Sequence, residues 1–228
     1  MGEQLSLAAL LRAQRDLGVA LSAETSLDRA LALVVETAIQ LSGMGCGGIY
    51  LIDPNTGALH LRYHTGLPDE FVHAMTYLPP DSSQAHLVRA GQPIYTQYDE
   101  LIVPLDDLRR SAGIAALAVL PLAHGGQVIG CLNLGSPHPG QIPAEVRPAL
   151  ETLAAQTGSA IARIRAEEAL RASEDTARAL LKGVSRATSR LLAIANLDVA
   201  INETLAILGE ATGVSRVFIF RIHPHPVS

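Results

Sequence analysis

Residues 113–134 read GIAALAVLPLAHGGQVIGCLNL, and this stretch decides the fold. Two mostly apolar runs, Ile114–Leu122 and Gln127–Leu134, lie on either side of the turn His124-Gly125-Gly126. Runs of this length and composition favour strands, and paired glycines supply the positive φ angles that tight turns need. The stretch therefore predicts a β-hairpin.

A second hairpin is predicted nearer the N-terminus. The run Cys46–Ile52 is apolar, and DPNTG at 53–57 is typical of a turn. Apolar and polar residues alternate over 59–64, which indicates a strand with one face in water. Two helices are predicted before this hairpin, at about Leu5–Ser22 and at Leu27–Leu41.

The segment between the hairpins, 66–107, is rich in proline and holds four of the eight aromatic residues. A short helix is predicted near 84–90 and a short strand near Ile94. Long connections in compact domains usually carry function. We expect this segment to cover an apolar pocket on the sheet; the alternative is a small core that only seals the sheet.

Beyond Pro143 the pattern is helical throughout. One apolar stripe is expected to pack on its own domain, and it consists of Leu150, Leu153, Thr157, Ile161 and Ile164. A second stripe, out of phase with the first, has heptad spacing, which predicts a dimer seam. The seam consists of Leu170, Ala177, Leu180, Val184, Ala187 and Leu191.

The chain also shows self-similarity at an offset of 170 residues, for which the alternative is chance similarity between two amphipathic helices. Ser26 and Asn196 are both favourable N-cap residues, and Gly43 and Gly213 suit the left-handed position after a helix. Each copy predicts a capped helix followed by a strand. Because the second copy reaches only its first strand before Ser228, we expect Val217–Ile222 to lack its sheet partners. That segment would then be poorly ordered, pair with another chain, or be held by a crystal contact.

These residues resemble the GAF domain family, which consists of small-molecule sensor modules in signalling proteins. The hairpin at 113–134 is similar to the family's PL…G…IGVL.L pattern, and HTGL at 64–67 and GQPI at 91–94 are supporting matches. The resemblance implies an α+β fold. An antiparallel sheet of about five to six strands would have helices on both faces, followed by a long helix. The first and last helices would pack together on one face, and the ligand pocket would lie on the other.

The resemblance divides the chain into four parts. It implies an N-terminal helix (1–25), a GAF domain (26–165), a signalling or coiled-coil linker helix (166–195) and the start of a second GAF domain (196–228). The linker is similar to helices that join such sensors to another sensor or to a kinase. We therefore expect the sensory region of a bacterial two-component protein, with any histidine kinase catalytic part outside this chain.

Composition narrows the functional classes. The net charge is −5 and Lys182 is the only lysine, so the electrostatic footprint of a nucleic-acid-binding protein is missing. The longest mostly apolar run, 112–123, is too short to span a bilayer, and two cysteines form no disulfide framework. These features predict a cytoplasmic protein with no membrane span.

Cyclic nucleotides, covalent bilins and haem each require particular residues in a GAF domain. Cyclic-nucleotide members carry an Asn-Lys…Phe…Asp-Glu motif, which the domain lacks because Lys182 lies outside it; Tyr98-Asp99-Glu100 is a superficial echo. Covalent bilin binders use a pocket cysteine commonly followed by histidine, whereas Leu132 follows Cys131 and Cys46 opens a strand. A haem would need an axial histidine, for which His86 is best placed, although a surface role is favoured. The cofactor remains unknown.

No catalytic constellation or metal site stands out, so we predict a non-catalytic sensory domain for an unknown small molecule, homodimeric through the linker helix. The alternatives are a ligand-free dimerisation module and, less favoured, a GAF-type methionine sulfoxide reductase. The ligand-binding residues are expected to be Tyr63, Phe71, Tyr77, His86, Tyr95, Ile114 and Asn133.

Overall fold

The computed structural model of the chain describes residues 7–97, 113–138, 142, 144–214 and 216–220. The chain forms two compact units, Met1–Arg165 and Ala166–Ser228. The first unit contains the sheet and the second is helical.

The first unit is built on a six-stranded antiparallel sheet with the order β3-β2-β1-β6-β5-β4. The quoted hairpin forms β5 and β6, and its turn glycines Gly125 and Gly126 have φ angles of 58° and 79°. Both predicted hairpins are confirmed, and β6 lies between β1 and β5. The strands are β1 Cys46–Ile52, β2 Leu59–Thr65, β3 Tyr77–Leu78, β4 Ile94–Gln97, β5 Ala116–His124 and β6 Gln127–Ser136.

Helices cover both faces of the sheet. Two N-terminal helices and the first part of a long helix pack on one face around the main core, and two short helices lie over the other. The predicted stripe from Leu150 to Ile164 is buried in that main core. The helices are α1 Leu7–Ala23, α2 Leu27–Ser42, α3 Asp69–Met75, α4 Ser83–Arg89, α5 Arg147–Ala193 and α6 Leu197–Thr212.

The start of α2 differs from the prediction in one respect. Ser26 occupies the N-cap position, but its side chain makes no cap hydrogen bond. Instead Glu24 Oε1 accepts from the backbone N–H groups of Thr25 and Ser26, both at 2.9 Å. These bonds lower the pKa of Glu24, the bond from Ser26 most of all. The carboxylate therefore satisfies backbone donors just ahead of the helix, where the helix dipole favours negative charge.

The long helix α5 touches the sheet backbone at Gly158. A Cβ atom added at Gly158 would overlap the carbonyl of Ala123 on β5. Glycine is required here because the helix lies too close to the strand for any side chain. This contact holds α5 against the face of the sheet that carries the main core.

The second unit is a helical hairpin made of residues 166–193 of α5 and the helix α6. Asn196 caps α6 by accepting from the N–H groups of Asp198 and Val199. Ala187 is buried, and Thr204 Oγ1 donates to its carbonyl oxygen at 3.4 Å. A Cβ at Gly183 would overlap Ala211 of α6. Within the second unit, α6 therefore covers Ala187, one residue of the predicted dimer seam.

The other five seam residues are exposed in the second unit: Leu170, Ala177, Leu180, Val184 and Leu191. The strand predicted at Val217–Ile222 is not formed over its described part, since residues 216–220 are irregular. Phe218, Ile219 and Phe220 are exposed there, and residues 221 and 222 lie outside the described ranges. No described helix is long and apolar enough to cross a membrane.

Candidate functional site

A cavity of about 100 Å³ lies on the face of the sheet that α1, α2 and α5 leave uncovered. Its floor comes from the central strands β1, β5 and β6. Its roof comes from residues 67–89, which contain α3 and α4 and are here called the lid. Apolar lid side chains that line it include Leu67, Phe71, Met75, Leu87 and Val88.

Asn133 supplies a polar group to the floor of this apolar space. It lies on β6 opposite Gly48 of β1 on one side and Val119 of β5 on the other. Its Oδ1 atom is buried, and no donor among the described residues bonds to it. A buried acceptor without a donor costs free energy, so this atom is a natural contact for a bound molecule.

Two glycines flank Asn133 and shape the floor. A Cβ at Gly48 would meet the carbonyl oxygen of Tyr63 at 2.9 Å, and a Cβ at Gly135 would meet Cys46 Sγ at 2.9 Å. Neither position accommodates a side chain without a shift of its neighbours. At Gly48 and Gly135 the floor beside the amide is therefore formed by backbone.

Both cysteines of the chain line the cavity, and both thiols are held in the neutral form. Burial raises the pKa of Cys131 to about 12, and burial also raises the pKa of Cys46. Cys46 pairs with Gly135, four residues along β6 from Cys131, which corresponds to roughly 13 Å. That separation is about twice what a disulfide spans.

Besides the pairing of β3 with β2, two sets of side-chain hydrogen bonds join the lid to the rest of the first unit. Tyr50 Oη donates to the carbonyl oxygen of Met75 at 2.9 Å, at the end of α3. At the end of α4, the Arg89 guanidinium donates to the carbonyl oxygens of Gly57 and Pro80. A small core lies beside the cavity and consists of Tyr50, Leu59, Leu78, Ala85, Val88 and Cys131. The segment thus makes both the expected pocket and a small sealing core.

Three of the seven residues that the sequence suggests for ligand binding line this cavity: Phe71, Ile114 and Asn133. Tyr63 and Tyr95 lie on the opposite face. Tyr63 is paired with Ile49, and Tyr95 with Ala118, and both partners belong to the main core. Residues directly opposite in an antiparallel pair share a face, so these two tyrosines point away from the cavity.

The remaining two of the seven do not line the cavity either. Tyr77 is half exposed and packs edge-on against His60, with ring centroids 5.2 Å apart. His86 is exposed, and its Nδ1 lies 2.8 Å from the carbonyl oxygen of Ser82. This contact engages Nδ1 alone and leaves Nε2 as the ring nitrogen that could bind a haem iron, although the side chain does not line the cavity. Within the described residues, no three histidine, cysteine or acidic side chains converge as a metal site would require.

Several cavity residues were missed by sequence reasoning, notably Tyr50, Val119 and Cys131. Strand alternation from Asn133 would have found Cys131, two residues earlier on the same face. Tyr50 and Val119 can be assigned to the cavity only when the pairing of β1 and β5 with β6 is known. The described residues do not include Tyr98-Asp99-Glu100, the superficial echo of the cyclic-nucleotide motif, or the rest of 98–107.

Tyr95 joins the edge strand β4 to the start of α5. Its Oη donates to Glu151 Oε1 at 3.0 Å, and the Arg147 guanidinium lies over its ring, 4.6 Å from the centroid. Burial, with the bond to Glu151 as a second cause, holds the pKa of Tyr95 well above its usual value. The preceding residue, Ile94, lines the cavity on the other face of the same strand.

The profile of the GAF domain family matches residues 24–162. The chain belongs to the GAF domain family. GAF domains are sensory and regulatory domains of signalling proteins, and the six-stranded sheet with its long C-terminal helix is their α+β fold. No curated protein sequence matches the chain significantly.

Solved structures place the GAF fold in several settings. A domain of a protein assigned as a two-component sensor histidine kinase in Sinorhizobium meliloti 1021 has a TM-score of 0.54 at 22% identity, covering 64% of this chain and 97% of that one. The free methionine-R-sulfoxide reductase of Neisseria meningitidis, in complex with its substrate, has a TM-score of 0.60 at 20% identity, covering 73% and 95%. The bacteriophytochrome RpBphP3 of R. palustris has a TM-score of 0.64 at 14% identity, covering 93% and 48%. At these identities the likeness concerns the fold alone.

Proposed function

We propose that the GAF domain is a non-catalytic sensor that binds a small molecule in the cavity between the sheet and the lid. The observation that carries this proposal is the apolar cavity with the unpartnered Asn133 Oδ1 atom in its floor. Ligand pockets in proteins combine apolar walls with a few polar groups that fix orientation. The lid closes the cavity from above, so its packing would respond to whether the space is filled.

The route from the cavity to the output helix runs through β4. Ile94 contacts the cavity, and the next residue, Tyr95, is hydrogen-bonded to Glu151 on α5. A ligand that moves β4 would therefore change the contact with the first turns of α5. Because α5 continues without a break to Ala193, a shift at its start would bias the packing of the linker helix.

The reductase alternative is disfavoured by the two cysteines. Thiol-based reduction of a sulfoxide needs a thiolate nucleophile and a second thiol to complete the disulfide. Here burial raises the pKa of both thiols, and their strand register separates them by roughly 13 Å. Turnover of free methionine sulfoxide that depended on Cys46 or Cys131 would overturn the non-catalytic assignment.

The ligand is to be sought by thermal shift with a panel of nucleotides, haem and small metabolites. A ligand present at 100 times its Kd stabilises the folded state by about 2.7 kcal/mol, which is roughly 5–10 °C for a domain of this size. Val119→Phe should abolish the shift by filling the cavity. The matched control Val19→Phe, at an exposed position of α1, should retain it.

If nothing in the panel stabilises the wild-type protein while it remains dimeric, the ligand-free dimerisation module is the better description. If a compound stabilises wild-type, Val119→Phe and Val19→Phe proteins equally, it binds elsewhere and the cavity is not the sensor site.

For the parent protein we propose a two-component sensor kinase that dimerises through the linker helix and continues into a second GAF domain. The internal repeat supports the second domain: α2 and α6 have the same length of 16 residues. They end at Gly43 and Gly213, with φ of 68° in both and ψ of 14° and 13°. The fold shared with a sensor histidine kinase domain supports the kinase context.

Dimerisation is tested by solution mass. Leu180→Asp at the seam should convert a dimer to a monomer, whereas Leu181→Asp, at the more exposed neighbouring position, should leave the mass unchanged. An unchanged mass for Leu180→Asp would show that the seam is not the interface.

A further inference from the structure

We infer that the molecule held in the cavity is uncharged, mostly carbon at its surface, and directs a single N–H or O–H group at Oδ1 of Asn133. This inference rests on the proposed function, because it names the chemical class of ligand that the same cavity selects. Asn133 is then the residue that determines specificity.

The first step concerns charge. The described lining is apolar apart from the Asn133 and Gln84 amides, the Tyr50 hydroxyl, the two thiols and exposed backbone groups. Transfer of an ion into such surroundings is strongly unfavourable unless a counter-charge meets it. Both thiols face this space, and burial is the largest cause of the raised pKa of Cys46 and of Cys131. The same desolvation opposes a charged ligand.

The second step concerns polarity. The Tyr50 hydroxyl donates to the Met75 carbonyl oxygen, so its proton is already committed within the protein. Asn133 Oδ1 has no donor among the described residues, and the backbone of Asn133 is paired with β1 on one side and with β5 on the other. A ligand N–H or O–H would remove the cost of that buried acceptor, whereas a ligand with only acceptors would add a repulsive contact.

The third step concerns size. An engineered apolar cavity of about 150 Å³ in another protein holds one benzene molecule. A cavity of about 100 Å³ therefore has room for a five-membered ring or a group of similar volume. Five-membered heterocycles provide probes of nearly constant shape in which the donor and the charge are changed separately.

The experiment titrates the wild-type protein with pyrrole, furan and imidazole while backbone amide NMR signals of β1 and β6 are recorded. Pyrrole has an N–H donor and furan has none, so pyrrole should bind about five- to tenfold more tightly. Imidazole is neutral at pH 9 and cationic at pH 5, since its pKa is near 7. Its affinity should fall at least tenfold at pH 5, whereas pyrrole, uncharged at both pH values, should change less than twofold.

The variant Asn133→Leu replaces the amide with an apolar group of similar volume. It should bring the pyrrole and furan affinities within twofold of each other. The comparisons in the wild-type protein do not depend on this variant being folded.

The outcomes separate the two proposals. Equal binding of pyrrole and furan by the wild-type protein, or binding of imidazole that is as tight at pH 5 as at pH 9, would overturn the inference about ligand class and leave the sensor site standing. If none of the three probes shifts the amide signals around Gly48 and Asn133, the cavity is not a binding site and the proposed function fails with the inference.

Discussion

The hydroxyl of Tyr95 donates to the carboxylate of Glu151 across 3.0 Å, and this bond connects the edge strand of the sheet to the first turns of the longest helix. A second pair has the same chemistry on the same face: Tyr63 Oη donates to Glu36 Oε1 at 3.0 Å and connects β2 to α2. Only the first pair has a cavity residue next to it in the sequence, since Ile94 precedes Tyr95. Substitution of each tyrosine in turn therefore tests whether the bond next to the cavity has a special role in coupling the cavity to α5.

Tyr95→Phe should weaken the link between the cavity and α5 without closing the cavity. Loss of one hydrogen bond should lower the free energy of unfolding by about 0.5–1.5 kcal/mol. Once a ligand is known, the change in hydrogen exchange that it causes at 147–155 should shrink at least threefold. Exchange measured by mass spectrometry with and without ligand checks this.

Tyr63→Phe is the matched control and should keep the full response of α5 to the ligand, because its partner Glu36 lies on another helix. An equal loss of response in both variants would show that the Tyr95–Glu151 bond has no special role in coupling.

Gly158→Ala should destabilise the first unit, although alanine normally stabilises a helix by up to about 1 kcal/mol over glycine. The added Cβ would overlap the Ala123 carbonyl, so a net loss of about 1–3 kcal/mol is expected in urea unfolding. Gly18→Ala in α1 is the control, since its Cβ would find its nearest neighbour, Gln156 Nε2, at 3.6 Å. That variant should be neutral or more stable, and a stabilised Gly158→Ala protein would contradict the close approach.

Alkaline pH should destabilise the protein through Cys131. Burial raises the pKa of its thiol from 9.0 to about 12, so the unfolded chain loses this proton first as the pH rises. The contribution to stability is complete below pH 9 and is lost progressively between pH 9 and 12, at ~1.4 kcal/mol per pH unit.

The measurement for this prediction is urea unfolding at pH 8 and at pH 10.5. Cys131→Ala should lose about 2 kcal/mol less than the wild-type protein over this interval. If the two proteins show the same pH dependence, the thiol is not buried in the folded state as described.

The two repeat-related helices should respond differently to loss of their N-cap side chains. Asn196→Ala removes two hydrogen bonds from α6 and should cost about 1 kcal/mol, visible as about fivefold faster amide exchange in its first turn. Ser26→Ala should have little effect, because the Ser26 side chain makes no cap bond and Glu24 binds the Ser26 backbone N–H. A similar loss of about 1 kcal/mol in both variants would indicate that both helices are capped through the side chain of the N-cap residue.

Local chemistry made the hairpins and helix ends predictable. The two turns contain Gly57, Gly125 and Gly126, all with positive φ, and Gly43 ends α2 at φ 68°. The helix α3 is not among the elements that the sequence predicts for 66–107. Pro68 followed by Asp69 and Glu70 is nonetheless a typical helix start, so the signal was present.

The faces of the aromatic residues were not predictable at the same level. Phe71 points into the cavity from a helix, whereas Tyr63 and Tyr95 point into the main core because of the strands that pair with theirs. Composition shows that a segment is rich in aromatic rings, but only the register assigns each ring to a side. Ala187 is a similar case, since the heptad pattern identifies an apolar position but not which helix covers it.

Strand β4 presents Ile94 to the cavity on one face of the sheet and Tyr95 to α5 on the other. Which side chain faces which side therefore depends on whether the register of the strand shifts by an odd or an even number of residues. Deletion or insertion of one residue at the start of this four-residue strand would turn Tyr95 towards the cavity and one of its two neighbours, Ile94 or Thr96, towards α5. All of the side chains would still be present, but each would lie on the opposite face of the sheet. A shift of two residues would restore the sides. In the evolution of such a domain, length changes next to β4 should therefore be tolerated in even steps and selected against in odd ones.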